Sequence, residues 1–341
     1  MTTSKGLQHK VVLIDYDPAL FSPIGFEQEV LAQAGASWET FQCRTEEDVL
    51  EVARDADVIA VQTVRILLTR KVLAQLKRCR CTIRAGAGYD SIDCQAATEY
   101  GIMVCNAPTY CTDDVADHAI ALMLGSVRHL ARLDAATRRG EYARALARPT
   151  RRVKGTTLGI IGLGRIGSTV ARRVKGWEMT VISYDPYVSQ ERGEEFGVQM
   201  VTLDELLGQA DFISVHCPLT DETYHMLSWD QFARIKPGLI LVNTARGPIV
   251  HQEPLVEALK DGRVWAAGLD VTEQEPVTLD SPLQELDNVI LTPHISANSP
   301  EAQHDLYRLV CEISIDVVEG RIPEWVVNPE VLDHLRKSAA T

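Results

Sequence analysis

The sequence predicts an α/β protein of two parallel-sheet domains separated by a cleft, the first of them discontinuous. Three observations carry that prediction. Strand-like apolar runs alternate with helical stretches along most of the 341 residues, and such alternation builds parallel sheets covered by helices. A glycine fingerprint, Gly159-Ile-Ile-Gly162-Leu-Gly164-Arg-Ile-Gly167, lies mid-chain, so a separate α/β unit must precede it. Two long helical stretches, 114–139 and 300–319, flank the unit that contains the fingerprint. If both cross between domains, the chain leaves the first domain and later returns to it. Residues 1–110 and 301–341 then form one domain, and 111–300 the other.

The elements follow in order. Val11-Val-Leu-Ile-Asp15 reads as a strand and 25–34 as a helix. Val58-Ile-Ala-Val61 is a second strand, followed by a helix that Thr69 caps and that runs to about Lys77. Cys81-Thr-Ile-Arg84 ends in the glycine-containing turn Ala85-Gly-Ala-Gly88. A short helix (93–100) and the strand Ile102-Met-Val-Cys105 come next. Thr112 or Asp113 caps the long helix 114–139, whose apolar positions include Val115, Ala119, Leu122 and Met123. A Pro/Arg/Gly loop (148–155) then leads into the fingerprint. Beyond it, strands fall at 212–215, 239–242, 266–271 and 289–292, with helices at 203–207, 228–235, 253–260 and 300–319.

The fingerprint carries the first functional reading. Leu158 to Ile161 read as a buried strand, Gly162 and Gly164 permit a tight turn, and Gly167 opens a helix (168–175). A second strand, Thr180-Val-Ile-Ser-Tyr184, ends at Asp185, eighteen positions after the last glycine. In such a Rossmann-like unit a dinucleotide pyrophosphate rests on the helix N-terminus and the acid binds the adenine ribose hydroxyls. Asp185 favours NAD over NADP, because a carboxylate repels a 2′-phosphate and Pro186 and Tyr187 offer no compensating arginine.

Bulk composition narrows the alternatives. Hydrophobic residues at 45% and charged residues at 24% are ordinary globular values. A net charge of −13 argues against a nucleic-acid partner. Arg138, Arg139, Arg144, Arg148, Arg151 and Arg152 form a local basic cluster, but no aromatics alternate with them, so a solvated helix end and loop is the simpler reading. The eight cysteines show no ligand spacing for a metal and no Cys-x-x-Cys pair. The polar first ten residues lack an apolar leader core, and no run approaches a membrane span. A cytoplasmic protein with no membrane partner is expected.

Three polar residues follow successive strands of the second unit: Arg246 after Leu241-Val-Asn-Thr-Ala245, Glu275 in Thr272-Glu-Gln-Glu-Pro276, and His294 after Leu291-Thr-Pro293. Ligands of open α/β sheets bind outside the carboxyl ends of the strands, so all three should converge there. A histidine exchanges the hydroxyl proton as hydride moves. A carboxylate on its other ring nitrogen orients the ring and favours the imidazolium. A guanidinium can grip a substrate carboxylate or carbonyl through its planar fork.

These residues resemble the NAD-dependent D-isomer-specific 2-hydroxyacid dehydrogenases. The matching segments are the fingerprint, His216-Cys-Pro-Leu-Thr220, Val242-Asn-Thr-Ala-Arg-Gly247, Gly268-Leu-Asp-Val271, Thr292-Pro-His294, Arg84-Ala-Gly-Ala-Gly-Tyr-Asp90 and Asn106-Ala-Pro108. The resemblance implies Arg246 as substrate-binding, Glu275 as the partner of the histidine and His294 as acid/base. Formate dehydrogenases of similar fold carry glutamine where Glu275 stands. It further implies NAD contacts from Arg165, Ile166, Asp185, Cys217, Pro218, Thr223, Thr244, Ala245 and Asp270, the last facing the carboxamide. The amides of Ala87 and Gly88 would form an anion nest opposite Arg246. Arg84 and Arg65 could read a second acidic group on a 2-hydroxy or 2-keto acid, or simply form ion pairs. A homodimer built through the nucleotide domain is also implied.

An alternative comes from Glu319-Gly-Arg-Ile-Pro323 and Tyr184-Asp-Pro-Tyr187, which resemble the C-terminal-binding proteins. These are NAD(H)-sensing corepressors on a dehydrogenase fold. The catalytic trio does not separate the two readings, because the corepressors retain it. The short stretch after Asn328 and the acidic charge favour the enzyme.

Overall fold

A computed structural model describes residues 7–63, 65–142, 144–147 and 150–333. Arg148 of the arginine cluster lies outside the described residues, as do 1–6 of the polar N-terminus and 334–341 of the tail. The chain forms two compact units: Met1–Cys111 with Asn298–Thr341, and Thr112–Ala297.

The first unit holds β1 (His9–Ile14), α1 (Phe26–Gln33), β2 (Ala36–Phe41), α2 (Glu46–Ala53), β3 (Val58–Val61), α3 (Arg70–Leu73), β4 (Cys81–Arg84), α4 (Cys94–Glu99) and β5 (Met103–Asn106). The five strands are parallel in the order β2-β1-β3-β4-β5. β3, β4 and β5 are buried along their whole length; β3 is apolar throughout, as a strand covered on both faces tends to be, whereas β4 buries Thr82 and Arg84 and β5 buries Asn106 beside their apolar neighbours.

Two elements here have no counterpart in the sequence expectation. β2 is an edge strand, Ala-Ser-Trp-Glu-Thr-Phe, whose polar residues need no burial. α2 buries only Val49, Leu50 and Ala53 among its acids. It is started by a capping box in which Thr45 Oγ1 accepts from Asp48 N–H and Asp48 accepts from Thr45 N–H. α3 is one turn, shorter than expected, and the Thr69 hydroxyl donates to Glu46 instead of capping it.

The helix Pro300–Val318 returns to this unit. Ser299 accepts the Ala302 N–H at 2.9 Å to start it, and Tyr307, Val310, Ile313 and Val317 pack with Leu31 and Ile83. Beyond it Asn328 ties the last described segment to β5. Its carboxamide accepts from Val104 N–H at 2.7 Å and donates to Ile102 O at 3.0 Å and Thr98 Oγ1 at 2.9 Å.

The second unit opens with α5 (Thr112–Val127) and α6 (Leu130–Arg138), followed by β6 (Thr157–Ile161), α7 (Arg165–Val174), β7 (Thr180–Tyr184), α8 (Gln190–Phe196), β8 (Gln199–Met200), α9 (Leu203–Gln209), β9 (Phe212–Val215), α10 (Trp229–Phe232), β10 (Leu239–Asn243), α11 (Gln252–Lys260), β11 (Val264–Leu269) and β12 (Val289–Leu291). Its seven parallel strands run β12-β11-β10-β9-β6-β7-β8. α5 packs on β10, β11 and α7.

The single helix expected over 114–139 is two helices. His129 adopts φ 53° and docks its buried ring edge-on against Trp265, with centroids 4.7 Å apart. A left-handed residue cannot continue a right-handed helix. The start also differs, because Thr112 is helical itself. The neighbouring arginines are largely paired: Arg138 with Asp134, Arg139 with Glu141, and Arg151 with Asp211 and the Trp265 ring.

β9 runs into His216, whose Nε2 lies 2.8 Å from Ser214 Oγ while its buried Nδ1 has no partner among the described residues. Burial pushes this imidazole down to about 4.

Two measurements check this architecture. Asn328→Ala leaves the buried Val104 N–H without its acceptor, and should lower stability by about 2–3 kcal/mol in urea unfolding. As pH falls, the unfolded chain protonates His216 at its ordinary value, while the folded chain resists until about 4. Stability is therefore lost between about pH 6.5 and 4, by up to ~3 kcal/mol, and His216→Gln should flatten that loss.

Candidate functional site

The fingerprint turn is built as the spacing requires, with one correction. α7 begins at Arg165, capped by Gly164, so Gly167 lies inside its first turn instead of opening it. Gly162 has φ +92°, and a Cβ there would lie 2.6 Å from Cys217 N. Only glycine fits such a turn without displacing backbone.

The same region fits a dinucleotide. No side chain caps the N-terminus of α7, and a Cβ on Gly164 would meet nothing within 4 Å. Open backbone amides at a helix start attract phosphate. Asp185 sits at the tip of β7, where its Oδ2 accepts from Leu163 N–H and its Oδ1 from Tyr187 N–H, both at 2.9 Å. These bonds fix the carboxylate while leaving lone pairs for hydroxyl donors. Arg165 and Ile166 are the first residues of α7.

Cys217 and Pro218 follow β9 and His216. Burial pushes the Cys217 thiol up to about 12, so it stays neutral. Thr223 turns its hydroxyl back onto Pro218 O at 2.7 Å, closing the 218–223 turn. After β10, the Thr244 hydroxyl is buried without a partner among the described residues, an orphan that a bound polar group would satisfy. Ala245 N–H donates to Asn243 Oδ1 at 3.0 Å, and Asn243 Nδ2 donates to Arg246 O at 2.9 Å.

The catalytic candidates lie in loops after β10, β11 and β12. Arg246 donates through Nη1 to Ala245 O at 2.8 Å. A Cβ on the next residue, Gly247, would lie 1.9 Å from Thr272 O. Because that position is bare, the Arg246 loop packs backbone to backbone on the loop that carries Glu275. The structure brings Glu275 and His294 into direct contact: Oε2 lies 2.7 Å from Nδ1. Glu275 Oε1 accepts the Thr272 N–H at 3.2 Å, which holds the carboxylate.

His294 has φ 55°, and its own N–H donates to Asp270 O at 2.9 Å. Asp270 is fully buried. Oδ1 accepts from the Thr292 hydroxyl at 2.6 Å and from Ile295 N–H at 3.0 Å, and Oδ2 from Ser296 N–H at 2.9 Å.

In the other unit, Arg84 is buried and folds its Nη1 onto Ala85 O. Ala87 O accepts from Asn106 Nδ2 at 2.6 Å, and Gly88 follows in the same loop. Arg65 pairs with the buried Asp15 at 2.8 Å.

Sequence reasoning missed two groups. His118, on α5, reaches Thr292 Oγ1 at 3.0 Å. Glu273 holds both His225 Nε2 and the Gln252 N–H at the start of α11, and His225 stacks on His251 at 4.1 Å. Neither pairing has a local sequence signal, because the partners lie on different elements.

Known proteins resemble this chain over most of its length. The NAD binding domain model of the D-isomer specific 2-hydroxyacid dehydrogenases matches residues 120–296. A D-3-phosphoglycerate dehydrogenase from Methanocaldococcus jannaschii is 43% identical over 83% of this chain and 54% of its own length. A glyoxylate reductase from Korarchaeum cryptofilum is 40% identical over 83% of this chain and 86% of its own. The crystal structure of a glyoxylate reductase from Paecilomyes thermophila has a TM-score of 0.84 at 30% identity, covering 94% of this chain and 98% of that one. The chain spans about half the length of the D-3-phosphoglycerate dehydrogenases it matches. With a nucleotide unit that fits the cofactor and a match extending over most of its length, the chain belongs to the D-isomer specific 2-hydroxyacid dehydrogenase family and carries that family's NAD-binding domain.

Proposed function

We propose that this chain interconverts a 2-keto acid and the corresponding D-2-hydroxy acid with NAD(H), His294 serving as acid/base, Glu275 as its partner and Arg246 as the anchor of the substrate carboxylate. The observation that carries the reading is the 2.7 Å contact between Glu275 Oε2 and His294 Nδ1.

Bound NADH supplies the hydride that reaches C2 of the keto acid. His294 supplies the proton. With Nδ1–H donating to Glu275, the ring is charged when Nε2 also carries a proton, and that proton passes to the keto oxygen. The Glu275 carboxylate stabilises the imidazolium and fixes the plane of the ring. In the oxidative direction Nε2 takes the hydroxyl proton. Arg246 holds the substrate carboxylate through paired N–H donors, which orients C2.

The resemblance supports the amides of Ala87 and Gly88 as a second anchor for the carboxylate and a homodimer as the working form. Arg84 and Arg65 would serve a further acidic group, in which case the Asp15 pairing of Arg65 has to yield to the substrate. Dehydrogenase and reductase names among the relatives support an enzyme over a corepressor.

His294→Ala should lower turnover by about 10²–10⁴ while NADH binding by fluorescence titration stays within about threefold. Unchanged turnover would remove His294 from the chemistry. Glu275→Gln keeps a hydrogen-bond acceptor but no charge, and should cost about 10–100-fold in kcat. With Asp185 at the ribose, kcat/KM for NADH should exceed that for NADPH by about 10²-fold, and equal values would contradict the assignment. The primary test is NADH oxidation with glyoxylate, hydroxypyruvate, pyruvate, and branched and dicarboxylic 2-keto acids. Absence of turnover across that panel would overturn the enzymatic reading in favour of a binding protein.

A further inference from the structure

α5 carries a histidine that the reaction above does not use. His118 is partly buried, with Nε2 3.0 Å from Thr292 Oγ1 and 3.6 Å from Asp270 Oδ1. Thr292 has one hydroxyl proton, and it points to Asp270 Oδ1 at 2.6 Å, because an ionised carboxylate only accepts. The Thr292 oxygen therefore offers His118 lone pairs alone, and His118 Nε2 must bear a hydrogen. The result is a directed chain: His118 Nε2–H to Thr292 Oγ1–H to the Asp270 carboxylate. That carboxylate in turn takes the N–H groups of Ile295 and Ser296, the two residues that follow His294.

The strap has a reason to need holding. His294 sits at φ 55°, a left-handed conformation that is unfavourable for a residue with a Cβ. It persists only where the surroundings over-determine it.

We propose that His118 is a positioning residue. By donating to Thr292 it orients the Asp270 carboxylate, which pins the 292–296 strap and aims the His294 ring at Glu275. The catalytic consequence rests on the reading of His294 given above; the structural one does not.

The test uses the full chain in two arms. In the first, without cofactor, amide hydrogen exchange is followed by mass spectrometry across 291–297. His118→Leu, which keeps bulk but lacks the donor, should speed exchange at Ile295 and Ser296 by at least ~10-fold, while α11 peptides stay unchanged. His118→Gln returns an N–H near the Nε2 position and should restore protection.

In the second arm, kcat for keto-acid reduction should fall about tenfold in His118→Leu and in Thr292→Val. KM for NADH should stay within about threefold. The double variant should be no worse than the poorer single one, since both cut the same chain. Unchanged exchange in His118→Leu, a glutamine variant no better than leucine, or losses that multiply in the double variant would each overturn the proposal. If the wild-type chain reduces no 2-keto acid, the functional reading fails, and the exchange arm still decides this one.

Discussion

A buried carboxylate organises the second unit. Asp270 stands just beyond the end of β11 with almost no access to water, and an ionised acid there is tolerable only if its lone pairs are filled. The Thr292 hydroxyl and the N–H groups of Ile295 and Ser296 take three of its roughly four acceptor sites. All three donors come from the segment after β12, so satisfying the anion folds that segment into a strap. His294 lies in the middle of the strap in a left-handed conformation, and from there its ring meets Glu275.

The parallel sheet supplies the second constraint. β10, β11 and β12 are neighbours running in one direction, so the loops after them emerge at one edge. Gly247 lets two of those loops touch through backbone, and Glu273 anchors the Glu275 loop to the start of α11. The Glu275–His294 pair is thus carried by loops that are each tied to a rigid element.

Much of this was legible in the sequence, for physical reasons. Strands buried on both faces are mostly apolar, so β3, β6, β9 and β10 announced themselves. The fingerprint announced its turn because Gly162 has no substitute there. Arg246, Glu275 and His294 were visible as polar residues at strand ends, where burial does not call for them. What stayed hidden follows from the same logic. β2 lies at an edge and α2 shows a thin apolar stripe, so neither carries a strong period. The break at His129 depends on a ring docking against Trp265, 136 positions onward in the chain. The His118–Thr292 bond spans 174 positions, and no local pattern encodes it.

In the proposed reaction C2 of a 2-keto acid would gain the hydride that bound NADH supplies, and His294 would give the proton to the keto oxygen. Reduction of a keto acid with a chiral product, using NADH deuterated at the transferring position, tests it directly. Deuterium at C2 and the D configuration in the hydroxy acid are expected. Deuterium lost to solvent, or a product of L configuration, would contradict it.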